Sequence, residues 1–169
     1  MFKMETERLR LREFVESDAA FVLELLNTKG WLDFIGDRKV RTEADAKSYI
    51  TDKLRVSYTH SGFGFYLVEL KDKAMPIGMC GLVKRFDLEN VDLGFAFLPE
   101  YTRKGYAYEA AQACLSLAKG KLGIKKLAAI TVAHNSPSIN LLKKLKFEFD
   151  KIIQINDDKE DLMLFDLVL

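Results

Sequence analysis

"VDLGFAFLPEYTRKGYAYEAA", Val91 to Ala111, passes from an apolar run with an internal glycine, through a proline and two adjacent cations, into a small-residue pattern. The part VDLGFAFL reads as a strand. Gly94 inside it marks a bulge or a close approach by another backbone or a ligand. Beyond Gly105, Ala107, Ala111, Cys114, Ala118 and Leu122 recur at helical spacing, so a helix begins close to Arg103–Gly105. A first helical turn offers unpaired N–H groups and a partial positive charge, which attract phosphate. The same junction also occurs in α/β proteins with nothing bound. Two readings stand at this point: an anion nest, or an ordinary helix start with exposed cations.

Working outward, "GFGFYLVEL" and "PIGMCGLVKR" are strands joined by the hairpin-length loop Lys71 to Pro76. With VDLGFAFL they make three consecutive strands. Upstream, Leu9, Leu11 and Val15 alternate with Arg8, Arg10 and Arg12, a strand with one wet face. Ser17 is the expected cap of a short helix carrying Phe21, Val22, Leu25 and Leu26. Thr42 and Asp45 form a capping-box pattern opening a helix toward Tyr58. Downstream, "KKLAAITVA" is a near-continuous apolar strand of the kind buried on both faces. Ser136-Pro137 opens a further helix. "FEFDKIIQI" and "DLMLFDLVL" close the chain as a hairpin across "NDDKE". The order βααβββαβαββ predicts one α/β (α+β) domain over residues 1–169. Its sheet is mixed, mostly antiparallel and seven-stranded, flanked by about four helices, and is not doubly wound because three strands follow one another.

Composition narrows the class. Lys and Arg number 26 against 25 Asp and Glu, so no global field points to nucleic acid. No apolar run approaches a membrane span, and "MFKMETERLRLREF" does not resemble a signal peptide. Cys80 and Cys114 sit in apolar contexts and read as reduced core residues of a cytoplasmic protein. His60 and His134 neighbour no cysteine, so no metal site is expected.

The order of elements, with "TERLRLREF", "FIGDRKVRTEADAKSYI", "PIGMCGL", "VDLGFAFLPEY" and "NSPSINLLKKLKF" in sequence, resembles the GNAT N-acetyltransferase superfamily, nearest its RimJ/RimL branch, over essentially the whole chain. The resemblance implies acetyl-CoA as cosubstrate and an amine acceptor: a protein N-terminus, a polyamine or another small amine. It implies that the pyrophosphate lies over the pattern Gln/Arg-x-x-Gly-x-Gly/Ala, here Thr102-Arg103-Lys104-Gly105-Tyr106-Ala107. The amides of Arg103, Lys104, Gly105, Tyr106, Ala107 and Tyr108 would then cradle it, and Phe97 and Leu98 on the preceding strand are implied as further coenzyme-binding residues. Gly105 and Ala107 suit close backbone approach. Thr102, Arg103 and Tyr108 depart from the commonest family residues. Asn135 and Ser138 match the Asn-x-x-Ser motif. Asn135 would bond the pantetheine arm, or alternatively cap the helix that follows. Lys146 stands where the family has a glycine ending that helix.

The expected chemistry is direct transfer in a ternary complex. A base takes the proton of the ammonium, a backbone N–H near Phe97 polarises the thioester carbonyl, and an acid protonates the departing thiolate. The resemblance places Leu142 where many members carry an acidic tyrosine; likeness to the ribosomal-type branch implies the serine, Ser138, as the acid instead, with Tyr106 and Tyr108 as fallback donors. Asp92 is the candidate base, or else a solvated strand charge; His134 is the weaker alternative. Neither cysteine has a partner histidine, so no covalent intermediate is expected. Acceptor choice would lie with Trp31 to Arg41, Arg85 to Val91 and the Asn156 to Asp161 turn. The expected state is a monomer or homodimer. A non-catalytic acyl-CoA sensor of the same fold is the alternative.

Overall fold

In the computed structural model, which describes residues 1–155 and 160–169, the arginine-leucine alternation near the N-terminus becomes an edge hairpin. Strand β1 (Lys3–Glu5) pairs antiparallel with β2 (Leu9–Arg12), with Leu9 and Leu11 turned into the core. The expected strand is therefore shorter than the span toward Val15. The preceding residues add an eighth strand to the seven read from sequence. A three-residue strand with no buried position carries no alternation signal, so only its pairing reveals it.

Helix α1 (Ala19–Leu26) is organised by Asp18 and not by Ser17. The Asp18 carboxylate accepts the Val15 N–H at 2.9 Å and both terminal nitrogens of Arg12 at 2.9 Å. A buried ion pair with good geometry thus replaces a hydroxyl cap. Thr28 caps the short α2 (Lys29–Phe34), where the buried Trp31 donates its indole N–H to the Gly36 carbonyl at 3.0 Å. Thr42 and Asp45 close the expected capping box at the start of α3 (Glu43–Tyr49). This helix continues through a π turn, Ile50–Arg55, into α4 (Val56–Ser61), which ends at left-handed Gly62.

The remaining strands are β3 (Phe65–Leu70), β4 (Met75–Val83), β5 (Val91–Phe97), β6 (Lys126–Val132), β7 (Glu148–Ile153) and β8 (Leu162–Val168). They form one sheet in the order β1-β2-β3-β4-β5-β6-β8-β7. Helices α5 (Tyr106–Lys119) and α6 (Ser136–Lys144) pack on one face with Leu93, Leu127 and Phe165. Helices α1 and α3 cover the other, with Leu67, Met79 and Leu98. Helix α5 buries Ala110, Ala111, Cys114, Leu117 and Ala118, so the expected stripe holds at its centre while Ala107 and Leu122 are only partly covered.

One join matters for function. Strands β5 and β6 run parallel but pair only at Val91–Leu127 and Asp92–Ala128. Beyond Asp92 the two strands part, leaving a gap through the middle of the sheet. Gly94 lies in this diverging part and stays in register with Gly81 of β4, so it marks no bulge. Its hydrogen is needed because a Cβ there would stand 2.8 Å from the Phe65 ring.

Candidate functional site

The gap exposes main-chain groups whose direction follows from the ladder on the far side of β5. The Leu98 N–H donates to the Ile77 carbonyl at 2.9 Å. In an antiparallel pair such bonds recur at every second residue. Ala96, Gly94 and Asp92 therefore direct their N–H and C=O groups to β4. Phe95 and Phe97 direct theirs toward the β6 side, where pairing has ended. The expected coenzyme contact Phe97 is one of these. At Leu98, also expected there, the N–H is engaged by Ile77, the carbonyl accepts the Tyr101 N–H at 3.0 Å, and the side chain is buried with α1 and α3.

Past Leu98 a short turn, Pro99–Tyr101, leads into the cation pair. Arg103 has φ of 59° and Gly105 φ of 82°, two left-handed residues separated by Lys104. Alternating hand turns successive N–H groups to one side. Among the described residues, the amides of Arg103, Lys104, Gly105, Tyr106, Ala107 and Tyr108 donate to no backbone or side-chain acceptor, and no side chain caps the helix. An unpaired row of this kind fits a phosphate-bearing ligand better than a plain helix start. Arg103 and Lys104 are exposed at its rim, and Lys104 lies 5.6 Å from the Tyr101 ring centre. The fallback tyrosines each have a cation over the ring. Tyr106 stacks under Arg8 at 4.5 Å, while Tyr108 accepts a hydrogen bond from Gln112 and lies under Lys144.

At the end of β6, Asn135 caps α6: its Oδ1 accepts the Ser138 N–H at 3.3 Å. Its amide nitrogen stays available as a donor, so the capping and ligand readings are compatible. Ser138 stands half-buried in the first turn of α6. Leu142 is 1% exposed in the core beneath that helix. Lys146 takes the left-handed conformation, φ of 72°, with the Phe147 N–H bonded to the Leu142 carbonyl, the helix ending that a glycine would otherwise supply. His134 is exposed, its ring 5.5 Å from that of Phe34.

Asp92 lies on the opposite face, where β5 leaves β6. It is 1% exposed and accepts from Arg85 Nε at 2.5 Å, while its second oxygen has no partner among the described residues. Burial pushes its carboxyl up to about 6, against the attraction of Arg85. It is therefore no solvated strand charge. Tyr49 of α3 stands within electrostatic reach of Arg38 and Arg85; burial raises its hydroxyl and both cations oppose the rise. Arg85, from the loop after β4, thus lies within reach of both Tyr49 and Asp92. Residues 156–159 of the third expected acceptor segment lie outside the described residues. Asp92 and Ser138 are not side by side: Asp92 stands on β5, and Ser138 lies in the first turn of α6, which packs on the other face of the sheet.

Cys80 and Cys114 are fully buried, with sulfurs 3.7 Å apart. The contact with Cys114 and burial hold the Cys80 thiol well above its ordinary value, the opposite of what a nucleophile needs. Among the described residues no group of histidine, cysteine or carboxylate side chains could hold a metal ion, and no helix is long and apolar enough to cross a membrane.

Both the sequence and the fold are similar to those of known proteins. The family described as "Acetyltransferase (GNAT) domain" matches residues 8–148. The chain belongs to the GNAT acetyltransferase family. It is 31% identical over 140 residues to the uncharacterized N-acetyltransferase YnaD of Bacillus subtilis, covering 83% of this chain and 79% of that protein. Among solved structures, an acetyltransferase from Agrobacterium tumefaciens superposes with a TM-score of 0.84 at 20% identity, covering 100% of this chain and 95% of that one. RimL, a ribosomal L7/L12 α-N-protein acetyltransferase in complex with coenzyme A, superposes at 0.83 with 14% identity, covering 99% and 98%. As a GNAT member the protein is an N-acetyltransferase.

The sequence did not single out Arg8 and Arg85. Each is one cation among many in the chain, and only the fold shows that Arg85 meets a buried carboxylate.

Proposed function

We propose that the protein, one N-acetyltransferase domain over residues 1–169 working in the cytoplasm, moves an acetyl group from acetyl-CoA to a primary amine by direct transfer. The observation that carries this reading is the row of unpartnered amides from Arg103 to Tyr108 beside the β5–β6 gap. Those amides would hold the pyrophosphate, with Arg103 and Lys104 adding charge at the rim. The Phe97 main chain and the Asn135 amide would hold the pantetheine arm. Acetyl-CoA supplies the activated acyl group as a thioester.

The chain's own groups supply the rest. Asp92 takes the ammonium proton on its unpartnered oxygen; a carboxyl held near neutrality is matched to that task. The Phe97 N–H, directed into the gap, stabilises developing negative charge on the carbonyl oxygen. Ser138 donates a proton to the leaving sulfur. The two faces give donor and acceptor separate entrances, which suits a ternary complex. The likeness to RimL supports a protein N-terminus as the first acceptor to try, with polyamines and other small amines after it.

The test is release of free thiol from acetyl-CoA in the presence of an amine panel, with calorimetry of acetyl-CoA alone. Turnover with at least one amine is expected, reduced in Ser138→Ala with unchanged binding. Binding without turnover for every amine would mark an acyl-CoA sensor, the reading that buried Leu142 favours. No binding would overturn the coenzyme assignment.

A further inference from the structure

Arg8, in the turn of the β1–β2 hairpin, reaches across the molecule to the start of α5. Its Nη1 donates to the Lys104 carbonyl at 3.0 Å and its Nε to Glu109 Oε2 at 2.7 Å, while its guanidinium lies 4.5 Å from the Tyr106 ring centre. Its backbone N–H and the Thr6 hydroxyl both donate to Glu109 Oε1, at 2.8 and 2.6 Å. Nη2 comes within 3.2 Å of where a Cβ on Gly105 would stand.

We propose that Arg8 is a positioning residue for coenzyme binding, fixing the Lys104–Gly105 peptide and cancelling the charge of Glu109. Two arguments carry the inference, which rests on the acetyl-CoA reading above. A trans peptide points its C=O and the following N–H in opposite directions. Holding the Lys104 carbonyl toward Arg8 therefore aims the Gly105 N–H away from it, to the side where the other free amides converge. The second argument is electrostatic. Glu109 lies in the first turn of the helix whose N-terminus receives the phosphate. Partial burial works against its charge, but the hydrogen bonds from Thr6 and Arg8 prevail and hold its carboxyl below the ordinary value. An ionised carboxylate there repels an anion unless a cation faces it. Arg8 does both jobs at once, and its planar fork suits them better than an ammonium would.

Calorimetry with acetyl-CoA on the parent, Arg8→Met, Arg8→Lys, Glu109→Gln and the Arg8→Met/Glu109→Gln double variant tests this. Arg8→Met should weaken binding by about tenfold or more, with kcat at saturating acetyl-CoA unchanged. Arg8→Lys, the milder variant should Arg8→Met fail to fold, should lose several-fold. The double variant should recover part of the loss, because the uncompensated carboxylate is gone. Parent-like affinity in both folded Arg8 variants, a loss in kcat with affinity intact, or no recovery in the double variant would overturn the proposal. If the parent itself binds no acetyl-CoA, the coenzyme reading fails; if the parent binds and Arg8→Met binds equally, only the role of Arg8 fails.

Discussion

Gly105 sits at φ of 82° with Arg8 3.2 Å from its missing side chain, so a β-branched residue meets two obstacles there. The left-handed conformation costs such a residue roughly 1–2 kcal/mol, and relaxing it turns the amides out of line. Gly105→Val should lower acetyl-CoA affinity by about tenfold or more while the protein stays folded, as calorimetry and circular dichroism would show. Lys146 presents the opposite case, a side chain where glycine is preferred. Lys146→Gly should raise stability by roughly 0.5–1 kcal/mol in urea unfolding, the relief of strain being partly offset by a freer unfolded chain. Asp92 gives a prediction in pH. Its carboxyl is raised by burial from 3.8 to about 6, so the native state holds the proton more tightly than the unfolded state. The stability this lends is full below the ordinary value and is lost as pH rises through about 6. Asp92→Asn removes that titration, so its melting temperature relative to the parent should climb across this window. In activity, the parent's rate should rise with pH through about 6, and the variant should lack that limb while recovering partly at high pH, where free amine is plentiful. Parallel pH profiles would take the base role away from Asp92.

Between elements, one tie outside the apolar cores is Glu69 of β3, 4% exposed and facing Arg10 at 3.0 Å and Arg12 at 3.3 Å on β2. Arg12 in turn grips Asp18 before α1. Glu69→Ala should cost roughly 1–3 kcal/mol in chemical denaturation, because two partly buried guanidinium groups each lose one of their acceptors. This level also shows what a linear reading can reach. The three consecutive strands, the capping box at Thr42 and the strand-to-helix junction at Gly105 were all legible, since apolar period, caps and glycine act through near neighbours in the chain. The short β1 strand was not, having no buried residue of its own. Nor was the start of α1, where an ion pair with Arg12 gives Asp18 the role expected of Ser17. Gly94 was read as room for a backbone or ligand and proves to be room for Phe65, a contact made across strands. The candidate site followed the same division. The amide row was visible in sequence, whereas the burial of Asp92 and the reach of Arg8 depend on partners brought together only by the sheet.

Across the whole molecule, the sheet is continuous except where β5 and β6 part, and the two helical layers meet that gap from opposite sides. Amides facing a gap exchange with solvent more readily than amides in a ladder. Coenzyme binding should therefore slow hydrogen exchange in segments 95–108 and 131–138, and leave the β3–β4 ladder unchanged. Protection spread evenly over the sheet would mean a global stabilisation and no defined seat in the gap. The α1–α3 layer carries a further consequence through Trp31, the chain's single tryptophan, whose buried indole is tied to Gly36 in the loop after α2. Selective excitation of the protein's emission thus reads one place only. If the proposed acceptor segment 31–41 takes part in binding, an acceptor should change the colour or yield of that light, whereas coenzyme on the α5–α6 face should leave it nearly still. On that reading the native chain, unlabelled and unmutated, carries an optical gauge for its second substrate.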